Sequence, residues 1–172
     1  MDIGESLVGS YMRYVRDCDV VTYNTYLRGK QGELDVIAMR TSDRIVWLCE
    51  VTTHISGMGI VGTRGQDVTV AKVEQKLLRA KEFAQVAFPE HEHRFEVWSP
   101  RVAVGKTTRA FETLITQFET NGDSLTFVIN QDYTERVREL TRHARDNVSA
   151  TSEPAFRMLQ IMTHLRGTSL SL

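Results

Sequence analysis

The chain is poor in the features that would classify it at once. Two cysteines, Cys18 and Cys49, stand among 172 residues. That is too few for a disulfide framework, and no Cys/His spacing suits zinc. Cys49 sits inside an apolar run and reads as a buried free thiol. Three prolines leave long stretches free to form regular elements. No run reaches the ~18 apolar residues of a membrane span. The N-terminal segment "MDIGESLVGSYMRYVRD" lacks a basic region followed by an apolar block, so no signal peptide is expected. A reducing cytoplasm is the default location. The formal charge is −1, so nothing global steers the chain to nucleic acid, and any basic surface must be local.

Nucleotide chemistry is also missing. Gly105-Lys106-Thr107 resembles the end of a phosphate-binding loop, but its first glycine would fall on Pro100. The intervening Arg-Val-Ala-Val reads as strand and cannot wrap a phosphate. A helix N-cap at Thr107 or Thr108 explains the stretch, and no nucleotide cofactor is expected. His91 and His93 lack further ligands nearby, and there is no G-x-S-x-G elbow.

The patterns that are present describe an α/β protein. Leu7, Val8, Tyr11, Tyr14 and Val15 recur at helical spacing, predicting a helix over 3–17. Residues 19–27, 33–39 and 45–51 are rich in β-branched and aromatic side chains and read as strands, separated by the turns "RGKQG" and "RTSDR". A glycine-rich stretch, 56–67, reads as a loop, either closely apposed to a ligand or a plain connector. A long helix over 68–88 follows, with the stripe Val70, Val73, Leu77, Ala80 and Ala84. Then come a strand over 94–105 broken near Ser99-Pro100, a helix over 107–120, a strand over 124–130 and a helix over 131–147. Residues 149–154 read as a linker to a short amphipathic helix, 155–166, with a frayed tail beyond it. The order predicts a layered α/β domain over 1–148 with a mixed sheet, plus a helical extension over 149–172.

The chemistry gathers at one end of a hairpin. Strand alternation puts Glu33 with Asp35 on one face, and Glu50 with Thr52 and His54 on one face of the next strand. If the two strands pair, Asp35 and Glu50 become neighbours. Acidic strand ends are commonly just solvated. Adjacent carboxylates otherwise need something positive between them, and a hard divalent cation such as Mg²⁺ or Mn²⁺ suits oxygen ligands.

"GELDVIA" followed by "VWLCEVTTH" resembles the core of the PD-(D/E)xK, or restriction-endonuclease-like, nuclease superfamily. Over about the first half of the chain it is similar to Holliday-junction-resolvase-like and YraN-like members. The resemblance implies a three-layer domain with an αβββαβ core and metal-dependent hydrolysis of DNA phosphodiesters by an activated water. It implies that Asp35, Glu50 and the Val51 carbonyl hold the metal, that Glu5 helps complete the site, and that Glu33 lines it. The sequence departs from the family at Thr52, where a lysine is usual. That lysine stabilises charge in the transition state, and threonine carries none.

Lys72, Lys76 and Arg79 form a row beside the apolar stripe of the long helix. Some nucleases of this kind recruit the lysine from that helix, so Lys72 or Lys76 is expected to replace it, with Lys76 favoured. Arg64, Arg79, Thr52 and His54 are candidate nucleic-acid contacts. The alternatives are a nuclease fold that binds nucleic acid without cleaving it, and a scaffold that dimerises through the helix near 154–166, using Phe156, Leu159, Met162 and Leu165.

Overall fold

A computed structural model describes residues 1–26, 32–54, 57–58 and 62–165, with the side chains of 62–67 excepted. The turn expected at 28–32 falls largely outside these residues, as does the tail beyond 165.

Ten elements follow one another as α1 (Ile3–Tyr14), β1 (Val20–Tyr26), β2 (Glu33–Arg40), β3 (Ile45–Val51), α2 (Gly62–Ala87), β4 (Glu92–Ser99), α3 (Lys106–Thr120), β5 (Ser124–Ile129), α4 (Asn130–Asp146) and α5 (Pro154–Thr163). The strands form one mixed sheet in sequence order. β1, β2 and β3 make an antiparallel meander, and β4 and β5 then join parallel to β3. The parallel joins need crossovers, and α2 and α3 supply them.

Side-chain alternation splits the core in two. On one face Val46, Leu48, Phe95, Val97 and Phe127 pack against Val73, Leu77 and Ala80 of α2 and Phe111 of α3. On the other face Ala38, Trp47, Cys49 and Trp98 meet Val8 and Tyr11 of α1, Leu140 of α4 and Phe156 of α5. β3 lies between the layers, which is why "IVWLCE" is buried throughout.

Local chemistry fixes the ends. Asp2 and Glu5 form a reciprocal capping box at the start of α1. β4 stops at Ser99, because Pro100 cannot continue a ladder. Past it, Val102 makes only an isolated bridge to Met58, so the strand expected to reach 105 is shorter.

Two expectations are corrected. The glycine stretch is not all loop, because α2 begins at Gly62. A glycine in a helix costs about 1 kcal/mol against alanine, and a long helix anchored downstream tolerates that. The last helix is no free appendage. Phe156 is fully buried and stacks on Tyr14 with ring centroids 3.8 Å apart, and Leu159 is also in the core. Two of the four side chains expected to form a dimerisation edge are therefore used within the chain.

Candidate active site

β2 and β3 pair with Val36 opposite Cys49, which carries Asp35 opposite Glu50 at the C-terminal end of the central strand. Both side chains project from the α2 face. Asp35 is 7% exposed and Glu50 4%. Two carboxylates taken out of water side by side are costly unless a cation joins them.

The cation comes from α2. Lys76 Nζ lies 2.6 Å from Glu50 Oε2 and 3.4 Å from Asp35 Oδ2. The Val51 N–H also donates to Asp35 Oδ2, at 2.7 Å. Lys76 follows Val73 and precedes Leu77, both buried, so the packing that docks α2 aims the ammonium at the strand ends. One acceptor is left over: Glu50 Oε1 is buried with no hydrogen-bond partner. Such an atom is expensive unless something comes to it.

Burial and the Asp35 charge push the Glu50 carboxyl up to about 7, against the opposing pull of Lys76. Burial alone would lower the Lys76 ammonium, but Glu50 and Asp35 outweigh it and the net shift is upward. The lysine stays protonated, while Glu50 titrates near neutrality.

The other expected residues are placed less centrally. Lys72, one turn earlier, is exposed. The Arg79 guanidinium lies against Gly32, where a β-carbon would collide with it and where φ is +118°. Thr52 is half-buried and its N–H donates to the Trp98 carbonyl. His54 is exposed, and its carbonyl accepts from the Gly57 N–H. Glu33 is half-buried at the start of β2. Glu5 accepts from Asn24 Nδ2 at 3.1 Å and from the Asp2 N–H, contacts that do not tie it to Asp35 or Glu50. The Arg64 side chain lies outside the described residues.

Sequence reasoning missed two hydroxyls. The parallel register places Ser99 beside Thr52 and one step beyond Val97, the neighbour of Glu50. Ser99 Oγ is fully buried and unpartnered, as is Thr107 Oγ1 in the first turn of α3. The only signal in the sequence was Pro100, which ends the strand at Ser99. Missed as well was Glu96 on the opposite sheet face, 3.2 Å from Arg16 and 2.9 Å from Trp98 Nε1. Burial raises its carboxyl, with Arg16 opposing. Its partners satisfy both oxygens, so it reads as a structural ion pair.

The donor set suits a hard cation in kind, with two carboxylates and one unpartnered oxygen. Among the described residues no third His, Cys, Asp or Glu joins them. The fold and the site together define a three-layer α/β protein with two buried carboxylates, joined by a part-exposed ammonium, at the end of its central strand. No family model, curated protein or solved structure matches the chain.

Proposed function

We propose that the chain is a metal-dependent nuclease of the PD-(D/E)xK kind that hydrolyses DNA phosphodiesters, its lysine supplied by α2 in place of Thr52. The observation that carries this reading is Lys76 Nζ within reach of both carboxylates. The order of one helix, three antiparallel strands, a helix and a parallel strand is the order the resemblance implies, and it supports the reading.

Asp35, Glu50 and the Val51 carbonyl would hold Mg²⁺ or Mn²⁺, which supplies an activated water when bound. The chain's own residues do the rest. Glu50 offers its free oxygen and loses its proton near pH 7. Lys76 keeps its proton and would stabilise negative charge on a phosphoryl oxygen. Thr52 adds an uncharged hydroxyl beside them.

The test is cleavage of plasmid, single-stranded and branched DNA with Mg²⁺ or Mn²⁺. Asp35→Asn, Glu50→Gln and Lys76→Met should each lower the rate by at least about 100-fold. Cleavage left intact in the Asp35 or Glu50 variant would sink the assignment. A second reading, nucleic-acid binding without cleavage, draws on the presence of only two acidic ligands among the described residues. It predicts salt-dependent DNA binding that is indifferent to divalent cations.

A further inference from the structure

β3 and β4 run parallel, so the chain leaves β4 at the same end of the sheet as Glu50 and Thr52. After residues 100–105, α3 begins at Lys106. Gly105 precedes it at φ +114°, with no side-chain hydrogen bond capping the helix. A β-carbon built on Gly105 meets no atom within 4 Å, so the space over this turn is open. The first amides of a helix have no acceptor within the helix itself.

The charge around the turn has one sign along the chain. No Asp or Glu stands between Glu96 and Glu112, while Arg101, Lys106 and Arg109 are all exposed. Arg109 Nε donates to the Gly105 carbonyl at 3.3 Å, which holds the guanidinium at the start of the helix. Cations are disfavoured at the positive end of a helix dipole, and an anion placed between them removes the conflict.

Two buried hydroxyls point independently to a ligand. Thr108 Oγ1 is engaged with Gly105, donating to its carbonyl and accepting from its N–H. Thr107 is 1% exposed, and its Oγ1 has no partner among the described residues. Helical side chains lean toward the helix N-terminus, so this hydroxyl leans toward the open turn. Ser99 Oγ, fully buried and likewise unpartnered, shares its sheet face with Val97, which α3 helps to cover. Buried hydroxyls without partners are costly, and an oxyanion supplies the missing acceptor.

We infer that the start of α3 binds a backbone phosphate of nucleic acid, other than the one cleaved, through the amides of its first turn, Lys106, Arg109 and the Thr107 hydroxyl. The inference rests on the nuclease reading for the source of the phosphate. One phosphate group needs no wrapping loop, so this is not the nucleotide site that Pro100 excludes.

The experiment follows the backbone amide signals of the full chain by NMR, with EDTA present so that no strand is cut. The probes are inorganic phosphate and a short DNA duplex. Both should shift the amides of Lys106, Thr107 and Thr108. Thr107→Val removes the hydroxyl and keeps the shape. It should be at least as stable as the parent, having lost an unpartnered buried group, yet bind both probes about 10-fold more weakly. Lys106→Ala with Arg109→Ala, both on the surface, should weaken duplex binding and lower its dependence on salt. Amides that neither probe moves overturn the inference, as does a Thr107→Val chain that binds like the parent. Shifts with phosphate but not with the duplex leave only a free-oxyanion site and overturn the nucleic-acid source. Failure of the nuclease reading shows separately, as plasmid left uncut by a chain whose amides still respond to the duplex.

Discussion

At the scale of single residues, Lys76 is as much a structural group as a chemical one. It is the counter-charge of two carboxylates that would otherwise repel each other under the sheet. Lys76→Met should therefore destabilise the fold by about 2 kcal/mol at pH 8. That lies below the ~3–5 kcal/mol of a fully buried pair, because the lysine is 36% exposed. The pH dependence has a definite sign. Glu50 has an ordinary value of 4.5 and about 7 when folded, so the folded chain holds that proton more tightly. Its contribution to stability is complete below 4.5 and is lost as the pH rises to about 7. Without Lys76 the proton is held tighter still, so the variant's deficit should shrink at pH 5, where Glu50 is neutral. Urea unfolding at the two pH values measures this, and an equal deficit at both would contradict it. Residue chemistry of this kind was partly legible in the sequence. Alternation, together with the expected pairing of the two strands, placed Asp35 and Glu50 together, and the helical spacing of 72, 76 and 79 nominated two lysines. Which lysine arrives depends on how far α2 rotates as it docks, and a one-dimensional pattern does not carry that.

At the scale of elements, the strands were readable because their apolar runs are nearly unbroken, and β2 and β3 lie within a residue of their expected bounds. α2 was misjudged at its start, because glycine content argued for loop where continuity with a packed helix prevailed. Ser99 was unreadable as a site residue, since its significance comes from the parallel register with β3, set by a crossover of forty residues between Val51 and Glu92. Element packing also hangs on one small residue in α1. A β-carbon on Gly9 would run into the Tyr23 ring, which donates through its hydroxyl to buried Glu153 at the foot of α5. Gly9→Ala would usually favour a helix by up to about 1 kcal/mol. Here it should instead cost about 2 kcal/mol by levering α1 off β1, read as a lowered urea midpoint. A variant as stable as the parent would show that Tyr23 moves aside freely.

At the scale of the whole molecule, the division expected near residue 148 is not a division of the core. α5 packs on both α1 and α4, and Phe156 completes the layer that holds Tyr11 and Trp98. Its amphipathic pattern was visible in the sequence, but a pattern shows that a face will be covered and not by what. A chain ending at 148 loses the burial of Phe156 and Leu159, each worth about 2–3 kcal/mol. It should be less stable by about 5 kcal/mol and bind a hydrophobic dye. A truncated chain that unfolds at the parent's urea midpoint would restore the appendage reading.

The helix that carries Lys76 is made after the hairpin that needs it. During synthesis Asp35 and Glu50 emerge first, on strands able to pair with each other through a four-residue turn. Until α2 follows and docks, their facing carboxylates have no ammonium between them and push that end of the hairpin apart. The acidic end of the hairpin therefore closes late, when α2 is in place. A nascent chain that stops short of Lys76 has the hairpin's sequence but not the ammonium that joins its carboxylates.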